Sequence, residues 1–198
     1  MVRMMIPIIM ILSTAFCFYF DNHNWLNKNI DFVPFIHSVV VGLGSTCVVI
    51  YNFNIVTDYE TTTGFWYIIF PLLSSGYSVY DLYTGLVLTK TQLIIHGVLS
   101  CFMSFVSFYP TPLYAPLSNF GYVTELSSIF LNLRPLRKTS IDIMFAVMFF
   151  ITKILFLPYV SYISPSIELK ILGFAFTFLN VYWFVLIVKK MLKQIKAN

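Results

Sequence analysis

Long apolar stretches alternate with short polar segments along this chain of 198 residues. A helix needs about 20 apolar residues to cross the hydrocarbon of a bilayer, with a tolerated range of roughly 17 to 25. Seven stretches approach that length: 4–20, 32–53, 65–88, 93–109, 113–133, 141–160 and 170–190. Open sheet is excluded there, because lipid offers no hydrogen-bonding partner to an exposed strand edge. The pattern predicts an all-α, multi-span transmembrane bundle of about seven helices.

The composition supports this class. Hydrophobic residues make up 59% of the chain and charged residues only 10%, whereas a soluble domain carries about 25% charged residues. The net charge of +4 is small and most of the lysines lie at chain ends and loops, so we expect no nucleic-acid partner. The three cysteines lie in apolar stretches without CxxC spacing, so the sequence predicts neither a metal site nor a bound cofactor.

The first apolar stretch, 4–20, follows a single basic residue and could be a signal peptide. It lacks a small-x-small cleavage site, and aromatic residues crowd its end, so a retained first helix is the preferred interpretation. With seven spans, the loops alternate between the two sides of the membrane. Nine basic residues then lie on one side and two on the other, which predicts a cytosolic C-terminus.

Three titratable residues are placed at similar depths in three different predicted spans. At a rise of about 1.5 Å per residue, Asp81, His96 and Glu125 lie roughly 10, 6 and 12 Å from the same membrane face. Ionised groups inside a membrane are costly, and they usually face protein or water rather than lipid. We therefore expect the three side chains to look into a common polar cavity that opens to the cytosol.

Polar neighbours at helical spacing extend each of these positions into a stripe, as expected for faces turned toward a bundle interior. The candidate cavity residues on these stripes, together with one mid-membrane asparagine in the last span, are Tyr77, Ser100, Thr124, Ser128, Asn132 and Asn180. A structural alternative remains open for the acids, which could instead lock helix packing. His96 could be interfacial, and Lys153 could either reach the membrane interface or act as counter-charge to a carboxylate.

Five segments of the chain resemble a known family. They are S-S-G-Y-S-V-Y-D-L (74–82), the histidine within Gln92–Ser100, T-E-L-S-S-I-F-L-N-L-R (124–134), F-F-I-T-K-I-L-F-L-P-Y (149–159) and L-N-V-Y-W-F (179–184). They occur in the order seen in TLC-domain proteins, a superfamily of translocon-associated TRAM proteins, Lag-type ceramide synthases and CLN membrane proteins. The resemblance covers about residues 35–192, which would form the domain, between an N-terminal helix and loop (1–34) and a short basic cytosolic tail (193–198).

The resemblance implies a multi-span membrane protein connected with lipids, resident in the endoplasmic reticulum. In the ceramide synthase branch, two adjacent histidines and nearby aspartates carry acyl transfer from acyl-CoA. Here the first of those histidines is His96, whereas its neighbour is Gly97. Thr124 and Glu125 replace the paired aspartates, and Lys153 stands where relatives often have arginine.

Three functional hypotheses follow. In the first, the protein binds or regulates membrane lipids without catalysis, and Asp81 and Glu125 accept hydrogen bonds from hydroxyl or amine groups. In the alternative, His96 is a catalytic base or nucleophile in acyl transfer, oriented by Asp81 or Glu125. The donor acyl-CoA would then bind through its phosphates to a basic rim made of Lys90, Arg134, Arg137 and Lys138.

The third hypothesis, a transporter or receptor of another class, rests on seven spans and buried acids alone. The chain shows neither an internal repeat nor paired interrupted helices in matching halves, which are common in secondary transporters. The lipid species and the oligomeric state are left open by the sequence.

Overall fold

The computed structural model describes residues 2–21, 31–52, 64–108, 114–136 and 139–197, and none of these residues forms a β-strand. They form seven helical segments, one of which is divided into two short helices. The helices are α1 (Val2–Asp21), α2 (Phe32–Tyr51), α3 (Phe65–Val87), α4 (Thr91–Phe108), α5 (Ala115–Tyr122), α6 (Glu125–Leu133), α7 (Thr139–Ile163) and α8 (Ile167–Ala197). The predicted all-α class is confirmed.

Four helices in the described part of the chain are long and apolar enough to cross a membrane: Phe32–Tyr51, Thr91–Phe108, Thr139–Ile163 and Ile167–Lys193. Large apolar side chains are exposed on their outer faces, as in a protein that is surrounded by lipid. The protein is therefore an integral membrane protein. The spans predicted for the other three segments stay predictions.

The predicted continuous helix over 113–133 is wrong in detail. A turn at Val123 and Thr124 divides this segment into α5 and α6. The backbone nitrogens of Thr124 and Leu126 donate to carbonyl oxygens only three residues earlier, so the chain tightens locally instead of continuing as an α-helix. As a result, Glu125 becomes the first residue of a helix.

Six helical segments close into a ring around the interior of the molecule. Going round it, α2 packs on α3, α3 on α4, α4 on α8, α8 on α7, α7 on α6, and α6 again on α2. The short helix α5 contacts α2, α3 and α4 as well as the last part of α7. Helix α1 lies outside the ring, against α3 and α2. The ring therefore encloses an interior, and α1 packs against its outer side.

The hairpin of α3 and α4 is packed so tightly that two glycines are needed. A Cβ atom at Gly97 would lie 2.7 Å from Cα of Leu82, and one at Gly85 would lie 2.9 Å from the backbone nitrogen of Ile94. Between the helices, Thr89 adopts a left-handed conformation with φ of 51°, which closes the connection within three residues. Backbone-to-backbone contact between the two helices follows from these features.

A second close approach joins α2 to the turn before α6. A Cβ atom at Gly42 would lie 3.0 Å from the backbone nitrogen of Leu126. Glycine at this position thus brings the start of α6 against α2, as small residues do in membrane helix pairs. The G-L-G sequence at 42–44 is accordingly a helix-packing site.

The buried side chain of Asn119 ties α5 to its neighbours. Its Nδ2 donates to the carbonyl oxygens of Tyr67 (2.7 Å) and Pro116 (3.0 Å), and its Oδ1 accepts from Ser45 (3.1 Å). The amide therefore connects α5 with α2 and with the start of α3. Such interhelical hydrogen bonds, rather than hydrophobic burial, distinguish one packing of membrane helices from another.

The middle of α7 is a π-helix at Phe150–Phe156, where each turn holds an additional residue. Thr152 and Lys153 in this segment are buried, with Lys153 only 7% exposed. The wider turn thus changes which side chains of α7 face the ring interior.

The glycine contact in the hairpin gives a testable prediction. Gly97→Ala should destabilise the protein by about 1–3 kcal/mol, since an added methyl group in a filled space forces the helices apart. Thermal unfolding of the purified protein in detergent measures the effect. The matched control is Gly121→Ala, because nothing lies within 4 Å of a Cβ atom there. Equal melting temperatures for the two variants would contradict the contact.

Candidate functional site

Two adjoining cavities occupy the interior of the ring. The inner cavity has a volume of about 60 Å³ and reaches toward α5, whereas the outer one measures about 530 Å³ and reaches toward the α3–α4 turn. Five residues line both cavities and so mark their junction: Tyr77, Asp81, His96, Glu125 and Lys153. The structure therefore places the three titratable residues named from the sequence around one hollow.

Asp81 and His96 form a close pair across the α3–α4 hairpin. His96 Nδ1 lies 2.8 Å from Asp81 Oδ2, and the two side chains are 24% and 13% exposed. A carboxylate oxygen only accepts, so Nδ1 carries the donated proton and the other ring nitrogen, Nε2, is left for a ligand. The rings of Phe176 and Trp183 on α8 lie against the imidazole, each with a centroid separation of 5.7 Å. The pair is thus held in one orientation.

Glu125 occupies the first position of α6, which the turn at Val123 and Thr124 creates. A carboxylate is favoured there, since the unpaired N–H groups of a helix start carry partial positive charge. Its carboxylate accepts a hydrogen bond from Ser128 and interacts electrostatically with Lys153, His37 and His96. Four helices thereby contribute to the surroundings of this acid.

Lys153 projects into the junction from the π-helical segment of α7. Its ammonium lies 5.5 Å from the centroid of the Phe149 ring, within the range of a cation–π contact. Its ammonium and the Glu125 carboxylate line the same junction and attract each other electrostatically. Of the two roles that the sequence leaves open for Lys153, counter-charge to a carboxylate is the one that this geometry matches.

His37 on α2 is a cavity residue that the sequence reasoning missed. Its ring stacks on Tyr77 with a centroid separation of 3.7 Å, and its Nε2 lies 3.3 Å from the hydroxyl of Ser74. Its Nδ1 is buried and has no hydrogen-bond partner among the described residues. A buried polar atom without a partner is uncommon, because desolvation then has no compensation. The hydrogen-bonding capacity of this nitrogen is therefore unused among the described residues.

The remaining predicted cavity residues divide between the two cavities. Ser100, Thr124 and Asn180 line the inner cavity, whereas Ser128 and Asn132 line the outer one. The carboxamide nitrogen of Asn132 donates to the hydroxyl of Ser38 at 3.1 Å, which joins α6 to α2. All of the candidate cavity residues therefore lie around the same hollow, and their roles in binding stay predictions.

The predicted basic rim fits less well. Lys90 lines the outer cavity, but Arg134 is not among the described residues around either cavity. Its Nε donates to Oδ1 of Asp142 at 2.6 Å, and its guanidinium lies over the Phe145 ring. Arg134 thus fastens α6 to α7. Arg137 and Lys138 lie outside the described residues.

Tyr122 is a second cavity residue that the sequence reasoning did not identify. It lines the inner cavity, and its hydroxyl forms hydrogen bonds with Ser74 and Ser104. Tyr122 lies at helical spacing from Ser118 and Glu125, a signal that the sequence reasoning did not use, whereas His37 adjoins only Ser38 in an apolar stretch. The described residues contain no group of three or more His, Cys, Asp and Glu side chains that could hold a metal ion.

Comparison with known proteins adds one finding. The sequence model of the TLC domain matches residues 27–189, which is most of the chain and covers α2 to α7 and most of α8. Helix α1 lies outside the matched range. No curated protein and no solved structure matches the chain.

The proximity of Lys153 to Glu125 can be tested by a double-mutant cycle. Lys153→Met should destabilise the protein, since it leaves a buried carboxylate without its main counter-charge. Combining it with Glu125→Gln should restore part of the loss, with a coupling free energy of about 0.5–3 kcal/mol in thermal or denaturant unfolding. The control cycle pairs Lys153→Met with Glu168→Gln, an exposed acid of α8. Additive effects in both cycles would refute the electrostatic link.

Proposed function

Because this chain belongs to the TLC-domain family, we propose that its central cavity binds the polar part of a membrane lipid without catalysing a reaction. A function related to membrane lipids follows from the family, and a membrane protein of this family is in contact with lipids. The more specific proposal, that a lipid binds within the cavity, rests on the chemistry of the residues that line it.

The main support for the proposal is the charge of the side chains that line the outer cavity. Carboxylates of Asp21, Asp31, Asp81 and Glu125 line the outer cavity, whereas its ammonium groups are Lys90 and Lys153. An excess of acceptors over cations favours a ligand that donates hydrogen bonds, such as a lipid with hydroxyl or amine groups. The Asp81–His96 pair and the Glu125 carboxylate would be the principal contacts, since they lie at the junction of the two cavities.

The proposal includes a location and an orientation. A protein of the endoplasmic reticulum is what the family resemblance implies, and the distribution of basic residues favours a cytosolic C-terminus. In that orientation the outer cavity, which reaches the α3–α4 turn and Lys90, would open toward the cytosolic face. Lipid headgroups of that leaflet would then lie close to its mouth.

Acyl transfer from acyl-CoA is the second candidate, and the geometry of the Asp81–His96 pair favours it. A carboxylate that holds Nδ1–H leaves Nε2 able to accept a proton, which is the arrangement of a general base and its orienting acid. Two observations count against it. A side chain at Gly97, where ceramide synthases have a second histidine, would collide with Leu82, and Arg134, which is paired with Asp142 through Nε, is not among the residues that line either cavity.

Lipid binding can be measured with purified protein in nanodiscs and a fluorescent long-chain amino alcohol. Asp81→Asn and Glu125→Gln should each weaken binding about tenfold to a hundredfold, the range expected when a hydrogen bond to a charged group worth roughly 1.5–3 kcal/mol is lost. Glu168→Gln is the matched control, because that acid is exposed on α8. Unchanged affinity in both cavity variants would contradict the proposal.

The same preparation separates binding from catalysis. Incubation with acyl-CoA and a panel of lipid amines and alcohols should yield no acylated product, because binding is proposed without turnover. Product formed by the intact protein and lost in His96→Ala would replace the proposal with the acyl-transfer candidate. Product that persists in His96→Ala would exclude His96 as the catalytic residue, and product that is absent from a mock purification would overturn binding without turnover.

A further inference from the structure

An apolar groove with a volume of about 420 Å³ lies on the outside of the ring, between α1, α2 and α3. One wall is formed by α1 from Ile9 to Cys17 and the other by α2 from Val33 to Val41. At a rise of about 1.5 Å per residue, each wall is roughly 12 Å long. Leu12 and Val40 face this groove while remaining 63% and 42% exposed, so it is open to the surrounding lipid.

The groove adjoins the polar cavities at two residues. His37 lines both the groove and the inner cavity, and Tyr77 lines the groove and both cavities. The two rings are stacked on each other, so together they separate an apolar space from a polar one. A molecule that occupied both spaces would therefore have to be apolar at one end and polar at the other.

The orphaned nitrogen of His37 lies at this boundary. Its Nδ1 is buried without a partner among the described residues, although the residue lies beside an apolar groove. An unpaired polar atom there is costly unless a ligand satisfies it, and a hydrocarbon chain alone could not. The geometry favours a ligand with a hydrogen-bonding group at the head of an apolar chain.

We infer that the groove between α1 and α2 holds the hydrocarbon chain of the lipid whose polar part binds in the cavity, with His37 contacting the polar group nearest the chain. The inference rests on the proposed function and adds how the lipid enters, laterally from the bilayer. It also gives α1 a role, since this helix lies outside the part of the chain that the TLC-domain model matches.

The groove selects among lipid hydrocarbon chains and adds little to the overall hydrophobic affinity for the lipid. A lipid chain that leaves the bilayer for the groove moves from one hydrocarbon environment to another, so burial itself gives little gain. Shape and van der Waals contact remain, and they depend on chain length and branching. We therefore expect the groove to discriminate among lipids that share a polar head group but differ in their hydrocarbon chains.

Photolabelling of the intact protein tests this directly. The probe is an 18-carbon amino alcohol with a diazirine at mid-chain, in nanodiscs of phosphatidylcholine, with adducts mapped by mass spectrometry. Adducts should concentrate on the groove-facing residues Leu12, Phe16 and Val40, and excess unlabelled amino alcohol should remove them. An 18-carbon alkane with the same diazirine should label all lipid-exposed side chains alike and should resist competition.

Groove variants supply the functional readout. Leu12→Trp and Val40→Trp should each lower affinity for the 18-carbon probe at least fivefold, and should affect an 8-carbon analogue much less. The controls are Ile11→Trp and Ile50→Trp on the same two helices, which are exposed outside the groove. Thermal unfolding is compared for all four variants, and adduct mapping on the unmodified protein does not depend on any variant folding.

The outcomes separate the inference from the proposed function. Competed adducts outside the groove, with unchanged affinity in the groove variants, would overturn the groove inference and leave lipid binding intact. An absence of any competed adduct or saturable binding would overturn the proposed function itself. Adducts in the groove together with loss of affinity for long chains only would support both.

Discussion

Neutralisation of charge inside a membrane is the constraint on which this structure depends. An isolated ionised group in hydrocarbon is costly, so each one must find a partner within the bundle. Asp81 meets His96 across the α3–α4 hairpin, and Glu125 at the start of α6 faces Lys153 on α7. The polar cavity and the closed ring of helices are therefore consequences of one requirement, because the charges can be satisfied only if the ring holds these elements together.

Close backbone packing makes these pairings possible. Gly97 lets α4 contact the backbone of α3 at Leu82, immediately beside His96, and Gly42 lets α2 contact the turn that precedes Glu125. Side chains at either glycine would push apart the helices that carry the acids. Two glycines, which have no side chains, thus determine where the acids lie. A substitution that changes helix packing at either glycine would therefore also change the site.

Most of the helices and the convergence of Asp81, His96 and Glu125 on one hollow were predictable, since hydropathy and a regular rise per residue are local properties of the sequence. Features that depend on tertiary contacts were not. His37 is a single histidine in a largely apolar helix, and its place in the cavity wall depends on tertiary packing, in which Tyr77 of α3 stacks on it. Arg134 was assigned to a phosphate-binding rim, whereas the return of the chain into α7 brings Asp142 within hydrogen-bond distance. The division between α5 and α6 likewise reflects packing against Gly42 and has no proline or glycine at the break itself.

The π-helical segment of α7 limits which insertions and deletions this helix can tolerate. Phe150–Phe156 contains an extra residue relative to an α-helical path, and one residue corresponds to a rotation of about 100° around a helix axis. Deletion of a single residue here would convert the segment to an ordinary α-helix. The part of α7 after the deletion would then be rotated about the helix axis relative to the part before it. Either Lys153 would face lipid, or the final part of α7 would lose its contacts with α8. Substitutions can therefore accumulate in this segment, while its length should be inherited unchanged.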